Sequence, residues 1–211
     1  MFTGLEPERI RDNLDRVRQR IAGAGRDPFE VEVLAATKYV SVDELPALVE
    51  GGITLVGENR AQDLLAKRER HAGDFTWDFI GALQSRKVRD VAPNVRLIHS
   101  LASESAMRQL ERFPVGEVLI EVNVAGEETK AGVDPADLPR YLETCPVPVT
   151  GLMCMPPFVE RAEDSRRHFA RLAELAAEHG LERLSMGTSQ DFEVAVQEGA
   201  TIVRLGSVLY E

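Results

Sequence analysis

The stretch VEVLAATKYVSVDELPALVEGGITLVG, residues 31–57, contains one complete strand–helix–strand unit. Its first run, VEVLAAT (31–37), is short and apolar and reads as a buried strand. A helical pattern follows over 42–50, with Ser41 as a candidate cap and Gly51 just past the end, where a positive φ is wanted. The next run, ITLVG (53–57), is apolar again. Two such runs joined by a helix read as parallel neighbours, because a parallel connection needs a crossover.

The alternation continues outward from this unit. Six further runs stand at 76–81 (TWDFIG), 95–100 (VRLIHS), 118–124 (VLIEVNV), 148–153 (PVTGLM), 183–187 (RLSMG) and 201–206 (TIVRLG). Helical patterns fill the gaps near 59–71, 84–91, 103–112, 135–143, 160–179 and 190–198. Ser103 and Asp134 are candidate caps, and Gly180 and Gly199 candidate helix stops. Ahead of everything, Leu14, Val17 and Ile21 predict an N-terminal helix, with Thr3 as its candidate cap and its close near Gly23–Gly25.

Eight strands alternating with helices predict a single (β/α)8 TIM-type barrel with an extra N-terminal helix, one domain over 1–211. A doubly wound open sheet is the rival. The strand count favours the barrel, as does the lack of a Gly-rich dinucleotide loop after the first strand. Little sequence follows the eighth run, so no eighth helix is expected there, and the N-terminal helix is expected to cover the gap.

Composition narrows the partners. The net charge of -10 argues against nucleic acid and acidic membranes, and no apolar stretch is long enough to span a bilayer. The charged N-terminus is not a secretory signal, and Cys145 and Cys154 have neither disulfide nor metal spacing, so the cytoplasm is the expected compartment.

Barrel chemistry belongs at the C-terminal strand ends. Lys38 stands at the first of these. It either marks a strand end and snorkels to solvent, or is an amine in a dry mouth, its pKa lowered by desolvation so that it can attack an aldehyde. Thr188, Ser189, Gly206 and Ser207 follow strands seven and eight. They either serve a tight turn and a cap, or form the phosphate site that barrels build from these loops. A lysine and a phosphate site together point to pyridoxal 5′-phosphate, PLP.

The segments LAATKYVS, GENRAQDLLAK, WDFIGALQSRKV, IHSLAS, EVNVAGEETKAGV, GLMCMPP and LSMGTSQDFEVAVQEGATIVRLGS resemble, in this order and over essentially the whole chain, the PLP homeostasis protein family. The resemblance implies a barrel like the N-terminal domain of alanine racemase, with PLP held as a Schiff base on Lys38. It implies Ser189, Gly206 and Ser207 at the phosphate, Asn59 beside the ring, and Arg204 facing the pyridine nitrogen. An arginine cannot give up its proton, so that nitrogen stays unprotonated and the ring remains a poor electron sink. Met153 and Met186 are expected to be packing. Three positions depart from the family pattern: Ala82 where histidine is frequent, Thr188 where methionine is, and the ending LYE.

The racemase takes its second base from a further domain, and this sequence stops soon after the eighth run. The implied role is therefore a PLP carrier in vitamin B6 homeostasis, expected to be a monomer and to hand cofactor to apo PLP-dependent enzymes. The alternatives are a slow racemase or lyase, and a scaffold that has lost its ligand. Among the histidines only His99 is a candidate second base, and a hydrogen-bonded structural imidazole is the stronger reading for it; His71, His168 and His179 read as surface residues. Tyr39 adjoins Lys38 and is not expected to reach the opposite face of the cofactor. The group Arg86, Lys87 and Arg89 and the acidic run 160–164 read as solvated faces.

Overall fold

The computed structural model describes residues 2–126 and 131–211. Residues 127–130, part of the EVNVAGEETKAGV segment, lie outside them. Eight parallel strands close into a barrel in sequence order. They are β1 (Glu32–Ala36), β2 (Leu55–Glu58), β3 (Thr76–Phe79), β4 (Leu97–Leu101), β5 (Glu117–Glu121), β6 (Val149–Met153), β7 (Arg183–Ser185) and β8 (Ile202–Leu205). Closure runs through β1 and β8, with Glu32 opposite Ile202 and Ala35 opposite Leu205. The predicted barrel is therefore the observed one.

The helices form the outer layer. They are α1 (Pro7–Gly23), α2 (Leu45–Glu50), α3 (Ala61–His71), α4 (Val88–Val91), α5 (Glu104–Leu110), α6 (Leu138–Thr144), α7 (Arg166–Glu178), α8 (Phe192–Gln197) and α9 (Ser207–Tyr210). Several predicted helices begin as a 3₁₀ turn, as at Val42–Glu44 and Pro135–Asp137. Among the described residues no helix is long and apolar enough to cross a membrane.

Local chemistry corrects three boundaries. Helix α1 starts at Pro7 after Glu6, not after Thr3. Pro7 suits a first turn, where its missing N–H costs nothing. The residues before it are held elsewhere: the Gly4 and Leu5 N–H groups donate to the Glu44 carboxylate, at 2.7 and 2.8 Å. The positive φ after α2 falls on Gly52 (86°), not Gly51. Gly51 is small for another reason, since a Cβ there would lie 2.5 Å from Ile10. Finally, a single helical turn, α9, does follow β8. Helix α1 covers it as expected, burying Ile10, Leu14, Val17 and Ile21. Asn13 Nδ2 donates to the Leu209 carbonyl across that contact, at 3.1 Å. Ser103 and Asp134 do cap, accepting from the N–H groups of Ala106 and Ala136.

Two apolar layers follow from strand alternation. Outward residues join the helices in the main core. Inward ones form a smaller cluster of Leu34, Leu97, Leu119, Met153 and Ile202. Gly57 faces this inner cluster, and a Cβ there would come within 2.5 Å of Leu34. The rest of the interior is polar and leads upward to the C-terminal rim.

Candidate functional site

All strands point the same way, so their C-terminal ends share one rim. A cavity of about 600 Å³ opens there. Lys38, Asn59, Ser189, Arg204, Gly206 and Ser207 all line it. The topology thus brings together every site residue expected from the sequence.

The segment carrying Lys38 is pinned from beneath. Thr37 is fully buried; its N–H donates to the Gly57 carbonyl at 3.0 Å and its hydroxyl to Glu58 Oε1 at 2.6 Å. The Lys67 ammonium on α3 donates to the Thr37 carbonyl at 2.7 Å and to the Glu58 carboxylate. This buried ion pair was not recognised from sequence. The signal was available: a glutamate ending an apolar strand needs a partner if it is buried. Lys38 itself is exposed, with Nζ 4.8 Å from the centroid of the Tyr39 ring. Of the two readings of this residue, the solvent-reaching amine is the one observed, and the desolvated amine is not. Lys38 lies beyond the end of β1, on the open rim, where water reaches it. Tyr39 lines the same side of the cavity as Lys38.

On the rim after β7 and β8, Ser189 Oγ accepts from the Gly206 N–H at 3.0 Å and from the Val208 N–H at 3.5 Å. Backbone donors from the β8–α9 turn therefore converge on one oxygen. A Cβ on Gly206 would meet nothing nearer than the Ala36 carbonyl at 4.0 Å, so this backbone is open to close approach. Thr188, a departure from the family pattern, has a local job: its N–H and hydroxyl both donate to Asp191 Oδ1, at 2.8 and 3.0 Å.

Arg204 is buried, and burial lowers its pKa from the ordinary value, with Cys154, Glu121 and Asp191 opposing. Its Nη1 donates to Ser185 Oγ at 2.6 Å and its Nη2 to the Cys154 carbonyl at 2.8 Å. Asn59 Oδ1 is buried without a hydrogen-bond partner among the described residues. Gly81 lets Asn59 sit where it does, because a Cβ there would lie 2.1 Å from the Asn59 carbonyl.

Below Arg204 the polar interior continues. His99 is fully buried, Nδ1 2.8 Å from Ser185 Oγ and Nε2 3.1 Å from Asp78 Oδ2. It is the hydrogen-bonded imidazole that the sequence favoured. Burial lowers its pKa; Asp78 pulls the other way, while Arg204 and Arg96 add to the lowering. Burial alone would raise the Asp78 pKa, but hydrogen bonds from His99 and Arg96 hold it below the usual carboxylate range. The remaining histidines are not the surface residues expected. His168 is buried, and His71 and His179 are half-buried. Met153 and Met186 are buried packing residues, and Cys154 is a buried free thiol whose pKa burial pushes up to about 12.

Comparison with known proteins places this geometry. No protein-family model matches the sequence. The pyridoxal phosphate homeostasis protein of Aquifex aeolicus is 42% identical over 96% of this chain and 96% of its own length. That of Pseudomonas aeruginosa is 38% identical over 92% and 90%. Among solved structures, PipY of Synechococcus elongatus with PLP bound superposes with a TM-score of 0.81 at 30% identity, covering 96% of this chain and all of that one. Alanine racemase from Corynebacterium glutamicum shares the fold, with a TM-score of 0.72 at 17% identity, over 98% of this chain and 61% of its own. Sequence identity and extent together show that the chain belongs to the pyridoxal phosphate homeostasis protein family.

Proposed function

We propose that this protein holds PLP in the C-terminal cavity, releases it to apo PLP-dependent enzymes, and so takes part in vitamin B6 homeostasis. The observation that carries the reading is the convergence of Lys38, Asn59, Ser189, Arg204, Gly206 and Ser207 on one cavity, in a chain 30% identical to PipY, whose structure contains PLP. The residues fit the group. Backbone N–H groups converge beside an approachable glycine, as a phosphate requires. Asn59 offers a buried oxygen that lacks a donor among the described residues. A charged guanidinium and an amine stand in the same cavity.

PLP supplies an aldehyde that an amine captures reversibly. Lys38 is the amine, and its exposed position on the rim leaves the capture open to exchange. Ser189, Gly206 and Ser207 hold the phosphate. Arg204 faces the ring nitrogen and, being permanently charged, donates a hydrogen bond to it without transferring a proton. Asn59 lies beside the ring. A slow racemase or lyase is the weaker reading, since Tyr39 shares the Lys38 side and His99 lies beneath Ser185 and Arg204. We further propose a monomeric, single-barrel protein over 1–211, acting in the cytoplasm.

The test is titration with PLP, borohydride reduction and peptide mass mapping. The expected result is one phosphopyridoxyl group on the Lys38 peptide and none in Lys38→Ala. Labelling that persists in Lys38→Ala would falsify Lys38 as the principal site. Arg204→Glu is expected to alter the absorbance of bound PLP, and an unchanged spectrum in the folded variant counts against its place at the ring.

A further inference from the structure

A continuous hydrogen-bonded chain descends from the cavity through the barrel. Arg204 Nη1 reaches Ser185 Oγ, Ser185 reaches His99, and His99 reaches Asp78. Asp78 is held by Arg96 Nε and Nη2 at 3.0 and 2.6 Å. Arg96 pairs with Glu32, Glu32 with Arg183, and Arg183 with Glu117.

Only one proton arrangement satisfies every member of the upper chain. Arg204 is all donor, so it must donate to Ser185. Asp78 is ionised and all acceptor, so His99 Nε2 must carry a proton toward it. If Nδ1 were protonated too, Ser185 would receive two donors while its own hydroxyl proton lost its acceptor, and a further cation would be buried between Arg204 and Arg96. With Nδ1 bare, Ser185 donates to it and turns its lone pairs to Arg204.

We propose that His99 is a positioning residue for Arg204. As the neutral Nε2–H tautomer it accepts a hydrogen bond at Nδ1 from the Ser185 hydroxyl, so that Ser185 fixes which N–H groups of Arg204 are left to face the cavity. The Cys154 carbonyl fixes the second nitrogen, and the two bonds together set the plane of the guanidinium. Its consequence for the cofactor rests on the PLP reading above, whereas the tautomer does not.

Long-range ¹H–¹⁵N spectra of labelled protein, recorded without PLP, read the tautomer directly. The expected result is a bare Nδ1 and a protonated Nε2 from about pH 6 to about pH 8. A protonated Nδ1 overturns the proposal whatever PLP does. With PLP added, Ser185→Ala and His99→Leu should each weaken affinity about tenfold, the size of one hydrogen bond to a charged group. Both should shift the absorbance of bound PLP in the same direction, and the double variant should go no further. His99→Asn, which returns an acceptor near the Nδ1 position, should recover part of the shift. Borohydride capture on Lys38 should persist in all of them. Wild-type affinity and spectrum in the folded single variants, as judged by circular dichroism, overturn the proposal. If His99→Leu does not fold, Ser185→Ala and the tautomer spectra decide. If the parent protein captures no PLP, the PLP reading fails, and the tautomer spectra alone decide the arrangement.

Discussion

The two ends of the barrel are built from the same alternating strands and treat polar groups in opposite ways. At the N-terminal end the charges satisfy one another: Arg96 bridges Asp78 and Glu32, and Arg183 bridges Glu32 and Glu117. At the C-terminal end, above the buried Lys67–Glu58 pair, the groups that line the cavity do not. Lys38 lies exposed over a tyrosine ring, Asn59 Oδ1 has no partner among the described residues, and the two Arg204 bonds go to neutral oxygens. A self-satisfied end contributes specificity and rigidity. An end with unfilled donors and acceptors is one prepared to take a ligand.

The strongest way to break this contrast is Arg96→Leu. It leaves Asp78 buried with only His99 as partner, and should cost about 3–5 kcal/mol in urea unfolding. PLP capture by the remaining folded protein should be unchanged. A variant as stable as its parent would erase the distinction between the ends.

The carboxylates sharpen it through pH. The Asp78 pKa is held below its ordinary value, so its stabilisation is present above about pH 3.8 and is lost as pH falls further. The Glu121 pKa, at the mouth end of β5, is raised by burial, with Arg204 opposing. Stability therefore declines as pH rises past the ordinary glutamate value, because the unfolded chain releases that proton first. At neutral pH, Asp78→Asn should destabilise and Glu121→Gln should stabilise. Thermal unfolding that moves the same way in both variants would contradict the contrast. His99 adds a limb of its own: its folded pKa is lowered, so stability should fall as pH drops below about 6.5, and His99→Asn should flatten that limb.

The smallest expected effect belongs to the rim. Lys38→Ala should change unfolding free energy by less than about 0.5 kcal/mol, as an exposed side chain outside any ion pair among the described residues does. A larger loss would mean that Lys38 supports the fold as well as the site.

The strands were legible because each is a short apolar run, and parallel barrel strands are covered on both faces. The site was legible for a related reason. Lys38, Ser189 and Gly206 each follow a strand end, so local sequence places them on one rim. What lay out of reach was pairing across the barrel. Ser185 and His99 are 86 residues apart, and Arg183 and Glu32 are 151. Nothing in TWDF, VRLIHS or RLSMG says which inward polar groups will meet once the barrel closes. Sequence left open whether Lys38 reaches solvent, because a strand end and the open rim beyond it read alike. Helix α9 was missed because one turn is too short to show a period.

Phe2 and Glu211 both border the cavity, and the Phe2 N–H donates to the Tyr39 carbonyl, one residue from Lys38. For anyone handling this protein, the two tails are therefore not neutral places for a handle. A purification tag or fusion partner joined at Phe2 or Glu211 emerges beside the cavity proposed for the cofactor. The same proximity would make a small fluorophore attached at Phe2 an optical reporter of whether the proposed cavity takes up the cofactor.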